Sequence, residues 1–149
     1  MHDNVTNSFV SCLYELSRRE HSVNAILQAK RCVLDYLGVT YAGAKLFWNK
    51  GKEVFKDLDL EGNYKSIGFK IPLSLENSIF MSGISSHFLD LDDGVRFGAL
   101  HPGAPILSAL IPVVMSENIS PKKFIRAIVI GYECAIRVAQ AIQPSHYNR

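Results

Sequence analysis

Apolar side chains recur at helical spacing in segment after segment of this 149-residue chain, and this pattern limits the possible folds more than any other feature. The clearest segment starts at Ser120 and Pro121, a pair typical of a helix N-terminus, and Pro144 should end it. Its apolar stripe consists of Phe124, Ala127, Ile128, Gly131, Ala135, Val138 and Ile142. Because strands do not alternate with helices, the pattern disfavours a doubly wound sheet. We predict an all-α bundle of about six helices, in a single domain over residues 1–149.

Two helices are predicted in the first third of the chain. The first covers residues 5–19, and Ser22 is a candidate N-cap for the second. The apolar stripe expected on the second helix is Ile26, Ala29, Val33, Leu34, Leu37 and Tyr41. Gly43 is expected to end this helix, and Gly38 to allow a close helix crossing.

The middle of the chain mixes helix and turn signals. Residues 50–58 predict a short helix, and residues 64–69 are either extended or a loop. Ser74 is the expected cap of a helix that runs to about Leu91. Its inward face is predicted to be Ile79, Phe80, Gly83, Ile84, His87 and Phe88.

The most apolar stretch, residues 104–115, predicts a buried helix rather than a membrane span. It is shorter than the roughly 20 residues that a bilayer requires. Pro105 suits the first turn of this helix, and Pro112 should kink it.

Composition excludes several classes of partner. The net charge is +2 and there is no run of Lys or Arg beyond pairs, which argues against nucleic acid and against a charged membrane surface. The three cysteines form no CxxC motif, so neither a zinc knuckle nor a redox pair is indicated. With no secretory leader, these features predict a cytoplasmic protein.

The segment at residues 82–105 carries the candidate chemistry. Asp90, Asp92 and Asp93 are expected at the end of an apolar helix, and His101 follows after a short glycine-containing loop. A carboxylate and an imidazole brought together by a loop are the usual parts of general acid–base catalysis. Asp90 is either a base or hydrogen-bond anchor facing a cavity, or a residue that caps the helix end. Asp93 shares its helix face three residues on and supports the loop, unless it too only caps or solvates the helix end. Asp92 is expected to point roughly the opposite way, and the same two alternatives stay open for it.

His101 is restricted by Pro102 to extended backbone and is a proton donor or acceptor, or else a helix cap.

Three further residues, His87, Arg96 and His146, are candidate substrate-binding or supporting groups. His87, three residues before Asp90, is a supporting partner or a satisfied core histidine. Arg96 lies between the acids and His101, where it clamps a substrate carboxylate or is solvated. His146 is a supporting residue or a surface histidine.

Three sequence blocks, in order and suitably spaced, resemble the MmgE/PrpD family. They are AKRCVLDYLGVTYAGA at 29–44, HFLDLDD with HPGAPILSAL at 87–110, and AIVIGYECAIRV at 127–138. The family includes 2-methylcitrate dehydratase, cis-aconitate decarboxylase and iminodisuccinate epimerase. The resemblance implies the N-terminal part of a helical domain, without the smaller α+β lid domain, and acid–base chemistry on a small di- or tricarboxylic acid.

The same resemblance implies residue roles and the absence of cofactors. The first aspartate of the D-x-D-D motif corresponds to Asp90, and the histidine of the H-P motif to His101. No metal and no organic cofactor are expected. Gly94 stands where many relatives carry Thr, and the loop before His101 is longer than in some relatives.

Family members are about three times as long and carry catalytic lysines and a lid beyond the region matched here. The resemblance therefore implies the N-terminal half of a lyase or isomerase, acting as a homo-oligomer or in complex with a C-terminal-half protein. The alternative is a non-catalytic binding or assembly module on the same scaffold. A Mg²⁺ site on the D-x-D-D helix is a third hypothesis, which the lack of further clustered carboxylates disfavours.

Overall fold

The computed structural model describes residues 4–51, 61–143 and 145, and over these the chain is all helical. The five α-helices are α1 (Val5–Arg18), α2 (Val23–Gly51), α3 (Leu75–His87), α4 (Gly103–Ser116) and α5 (Pro121–Ile142). A short 3₁₀ helix, η1 (Arg96–Gly98), lies between α3 and α4. The all-α prediction is confirmed. The described residues contain no helix that is both long and apolar enough to cross a membrane.

The middle of the chain is only partly described. Most of the short helix predicted at residues 50–58 lies outside the described residues, and α2 itself continues to Gly51. Residues 64–69 form turns and loop, apart from one antiparallel bridge between Tyr64 and Leu73.

The predicted serine caps start three of the helices. Ser22 Oγ accepts a hydrogen bond from Ala25 N at 3.2 Å. Ser74 and Ser120 do the same for the amides three residues on, each at 3.3 Å. Each such cap satisfies an amide that the helix leaves unpaired, which stabilises it by about 1 kcal/mol.

Helix α2 packs against α3, α4 and α5 through a face that agrees only in part with the predicted stripe: Ala29 is buried, and Val33 packs against the core. Leu34, Leu37 and Tyr41 are exposed, and Leu34 is 73% accessible. The buried side chains of α2 are Ala29, Tyr36, Thr40 and Ala44. The prediction is therefore wrong for Leu34, Leu37 and Tyr41, because beyond Val33 the helix presents small and hydroxyl-bearing side chains to its neighbours.

Neither glycine of α2 has its expected role, because the helix continues past both of them to Gly51. Gly43 lies inside the helix, and a Cβ atom there would overlap the backbone carbonyl oxygen of Ser85 in α3. A Cβ atom at Gly38 would meet nothing within 4 Å. Gly43 therefore permits the close crossing of α2 and α3.

Helix α3 also departs in part from its predicted inward face, of which Ile84 packs against buried Leu73 and Met81. Phe80 and Phe88 are exposed, while the buried residues are Ser78, Met81, Ser82, Ser85 and Ser86. Ser82 Oγ lies 2.8 Å from Ser66 Oγ, whereas Ser85 Oγ has no hydrogen-bond partner among the described residues. Between α2 and α4, Tyr36 Oη lies 2.8 Å from Ser108 Oγ. Burial raises the pKa of Tyr36, so its hydroxyl stays protonated in the contact between α2 and α4.

The main core brings α2, α4 and α5 together. It comprises Ala29, Tyr36, Leu107, Ile111 and Ile128. The stripe predicted on α5 is buried at Ile128, whereas Val138 and Ile142 near its end are exposed. Pro105 lies in the first turn of α4, as predicted, and the helix continues through Pro112.

Candidate functional site

The acidic residues of the D-x-D-D motif lie in a loop and not on a helix face. Helix α3 ends at His87, about one turn before the predicted end at Leu91. Asp90 adopts a left-handed backbone conformation with φ of 52°, and its amide donates to the His87 carbonyl oxygen at 3.1 Å. Asp is one of the few residues that tolerate this conformation. The expectation that Asp90 and Asp93 share a helix face is therefore wrong.

Asp92 is the centre of the group, although the sequence left it undecided between a functional role and a helix cap. Its side chain is only 3% exposed. One carboxylate oxygen, Oδ1, accepts a hydrogen bond from His87 Nδ1 at 2.9 Å. The other, Oδ2, lies 3.4 Å from His101 Nδ1. One buried carboxylate thus faces the Nδ1 atoms of two imidazoles.

The two imidazole rings lie against each other and remain accessible. Their centroids are 5.1 Å apart, at an interplanar angle of 70°. The side chains of His87 and His101 are 54% and 45% exposed. The hydrogen bond to Asp92 favours the His87 tautomer that carries its proton on Nδ1. His101 Nδ1 lies near Asp92 Oδ2, which has no hydrogen-bond partner among the described residues.

Asp90 lies at the exposed edge of this group. One carboxylate oxygen of Asp90, one of Asp92 and one ring nitrogen from each of the two histidines lie within 4.8 Å of one another. Asp90 itself is exposed, and so is the adjacent Leu91, at 66%. Asp90 and Leu91 thus lie on the solvent side of the group.

Asp93 fastens the loop to two helices. Its Oδ1 accepts from the backbone amide of Gly103 at 2.8 Å, at the start of α4. Its Oδ2 accepts from Tyr132 Oη of α5 at 2.7 Å. Burial, reinforced by the Asp93 carboxylate and by Cys32, raises the pKa of Tyr132, so the phenol remains a hydrogen-bond donor. Nothing in the sequence paired Tyr132 with Asp93, because 39 residues separate them.

An open groove lies beside His101. It has a volume of about 350 Å³ and is lined by Gly94, Val95, Arg96, Ala99, Leu100 and His101. The bridge between Val95 and Leu100 closes the turn that contains η1. Arg96, at the start of η1, is therefore on the same concave surface as His101. His146 lies outside the described residues.

Residues 8–148 match the family model described as the MmgE/PrpD N-terminal domain. The chain belongs to the MmgE/PrpD family. No curated protein and no solved structure matches it. Membership agrees with the three sequence blocks and with the helical fold.

Proposed function

We propose that this MmgE/PrpD domain forms part of a lyase or isomerase that moves protons on a small di- or tricarboxylic acid. The observation that carries the proposal is the buried Asp92 carboxylate between two half-exposed imidazoles, one of which lines a groove with an arginine. Such a carboxylate orients an imidazole and stabilises its protonated form, which is what a general base requires.

The proposed reaction begins with a proton transfer to His101. A substrate carboxylate binds to Arg96 through paired N–H···O bonds, which places the adjacent carbon at the groove. Nε2 of His101 takes a proton from that carbon, and the electron pair that remains is delocalised into the carboxylate as an enolate-like dianion. Asp92 stabilises the imidazolium that results. General acid–base catalysis of this kind contributes typically about 10²–10⁴-fold in rate.

Asp90 and His87 have separate proposed roles. Asp90 is exposed beside the imidazoles, where it anchors a substrate hydroxyl or returns a proton to the product. His87, hydrogen-bonded to Asp92, holds the carboxylate in place. Asp93 fixes the loop that carries these groups.

The proposal requires further protein to close the site. His101 is 45% exposed, and proton abstraction next to a carboxylate is more favourable where water is excluded and a second cation faces the developing charge. We propose that these groups come from the C-terminal domain typical of the family, supplied by a partner polypeptide or a second copy.

Deuterium exchange tests this proposal without knowledge of the net reaction. The chain is combined with a polypeptide carrying a C-terminal domain of the family. Di- and tricarboxylic acids are then incubated with the complex in D₂O, and loss of the C–H signal next to a carboxylate is followed by NMR. His101→Gln and Asp90→Asn should each slow exchange by about 10²-fold or more.

The matched control is Asp35→Asn, which alters an exposed carboxylate on α2 away from the loop. Its exchange rate should equal that of the wild type. Wild-type rates in both site variants would refute the assigned roles, and no exchange with any acid tested would refute the proposed reaction class.

A second candidate function is assembly without catalysis. Leu27, Leu34, Tyr41 and Trp48 are spaced seven residues apart on α2, and all are exposed. A repeat of seven residues keeps side chains on one side of a helix, as in a helix-pairing seam. Light scattering after size-exclusion chromatography tests this candidate. An oligomer that Leu34→Glu dissociates supports it, and a monomeric wild type refutes it.

A further inference from the structure

A second cavity lies where helices α2 and α5 begin. This α2–α5 pocket has a volume of about 280 Å³ and shares no lining residue with the groove beside His101. The loop that carries the groove contacts the opposite end of α5, where Gln143 Nε2 donates to the Gly98 carbonyl oxygen at 3.4 Å. Because α5 has 22 residues, the pocket and that contact lie roughly 30 Å apart along the helix.

Positive charge prevails at the α2–α5 pocket. Lys30, Lys122 and Arg126 line it together with His21, and Glu20 is the one carboxylate among the described residues that line it. Three cations against one carboxylate leave an excess of positive charge in a concave surface, which attracts anions.

The Glu20 carboxylate already occupies a position between two of these cations. Its Oε1 accepts a hydrogen bond from Lys122 Nζ at 2.8 Å and lies 3.9 Å from Arg126 Nη2. The hydrogen bond and the positive charge of Lys122 lower the pKa of Glu20. The Glu20 side chain is 77% exposed, and an ion pair at such a position contributes little to stability. A carboxylate from another molecule can therefore replace it at small cost.

Two polar atoms of the lining residues have no partner. Arg126 Nε and His21 Nε2 are buried without a hydrogen-bond partner among the described residues. The 3.9 Å contact of Arg126 with Glu20 is too long for a hydrogen bond. Buried polar atoms are nearly always paired in proteins, so unpaired ones indicate a missing ligand or water. A guanidinium is suited to bind a carboxylate through paired N–H···O bonds.

The remaining wall of the α2–α5 pocket is apolar. It is formed by Ile26, Pro121 and Ile125. Ligand pockets commonly combine such a wall with a few polar groups that orient the ligand. Burial of apolar surface favours a ligand that carries a hydrocarbon body beside its charge over a simple hydrated ion.

We propose that the α2–α5 pocket binds a small monocarboxylic acid with a compact apolar body. The carboxylate of this ligand takes the place of Glu20 beside Lys122 and Arg126. Its apolar body lies against Ile26 and Ile125. The site does not rest on the proposed function, because none of its residues takes part in the proton transfer proposed above.

Titration calorimetry on the 149-residue chain, with benzoate as the probe, is the test. Three matched compounds are titrated separately: benzamide lacks the charge, acetate lacks the apolar body, and inorganic phosphate is an anion without carbon. We expect one benzoate to bind per chain. Each of the other three should bind at least about 10-fold more weakly.

Two variants of the pocket should change benzoate binding in opposite directions. Arg126→Gln should weaken it by about 10-fold or more, because a charge-assisted hydrogen bond is lost. Glu20→Gln should strengthen it by about 2- to 5-fold, because the competing carboxylate is removed. A general loss of folding would not strengthen binding. Glu20→Gln changes an exposed side chain, so it remains informative where Arg126→Gln fails to fold.

Two control variants remove a positive charge elsewhere. Lys123→Gln alters the neighbour of Lys122 on α5, which does not line the pocket. Arg96→Gln removes the arginine of the groove beside His101. Both should bind benzoate as the wild type does.

The inference is overturned if benzoate does not bind, or if benzamide, acetate or phosphate binds as tightly. It is also overturned if Arg126→Gln binds as the wild type does, if Glu20→Gln binds no more tightly, or if Arg96→Gln abolishes binding. Benzoate binding without deuterium exchange would sustain the pocket and refute the proposed reaction, and exchange without benzoate binding would do the reverse.

Discussion

Replacing Gly43 by alanine tests the close crossing of α2 and α3, which positions the end of α3 where the site begins. Alanine is favoured over glycine inside a helix by roughly 0.5–1 kcal/mol. Gly38→Ala should gain this amount, because a Cβ atom there meets nothing within 4 Å. Gly43→Ala gains it too, but its methyl group overlaps the Ser85 carbonyl oxygen.

The decrease in the free energy of unfolding depends on which atom the new methyl group overlaps. Overpacking costs typically about 1–3 kcal/mol, and a backbone carbonyl cannot rotate away as a flexible side chain can. We therefore expect the upper part of that range. The free energy of unfolding should fall by about 1–2 kcal/mol in Gly43→Ala, and the two variants should differ by about 2–3 kcal/mol.

The assay is thermal and urea unfolding followed by circular dichroism. For a chain of this length the difference corresponds to about 5–10 °C in the unfolding midpoint, with Gly38→Ala the higher. Equal midpoints, or a more stable Gly43→Ala, would show that α2 and α3 do not approach at Gly43, and the packing described above would be wrong.

Three further predictions concern single interactions. Tyr132→Phe removes the hydrogen bond to Asp93 and should lower the free energy of unfolding by about 1–3 kcal/mol, measured by urea denaturation; an unchanged midpoint would mean that this bond does not hold the loop. Burial raises the pKa of Tyr36 and of Tyr132, so their contribution to stability is complete below the unfolded pKa of about 10 and is lost as the pH rises above it. Urea midpoints between pH 8 and pH 11 should therefore fall more steeply for the wild type than for Tyr36→Phe, and parallel curves would contradict the burial. Ser120→Ala removes the cap on the Lys123 amide and should cost about 1 kcal/mol by the same assay, whereas no loss would show the cap to be replaced by water.

The sequence predicted helix starts well because those signals are local. Ser22, Ser74 and Ser120 each bond an amide three residues away, so the cap needs no tertiary contact. The buried face of each helix was harder to predict than its first residue. On α2 the predicted stripe holds at Ala29 and Val33 but fails at Leu34, Leu37 and Tyr41. The close approach to α3 occurs instead at Gly43, and that approach depends on neighbours distant in the chain.

In the candidate site, too, the residues with local signals were predictable and those with distant partners were not. Asp90 and His101 could be singled out because their motifs are local. In the structure one carboxylate oxygen of Asp90 lies within 4.8 Å of a ring nitrogen of His101. Asp92 was noted as one of three acids, but its central position was not predicted, because its partners depend on the left-handed turn at Asp90. Tyr132 was missed because it lies on α5, 39 residues from the Asp93 carboxylate that it contacts.

The proton-transfer claim is tested most directly by the rate of carbon-bound deuterium exchange in Asp92→Asn, measured in the complex with a C-terminal domain. Asparagine keeps the shape of the side chain but removes the charge that orients and stabilises the imidazoles. We predict a fall of about 10²-fold or more in a variant that unfolds at the midpoint of Asp35→Asn. An exchange rate equal to that of the wild type would contradict the claim.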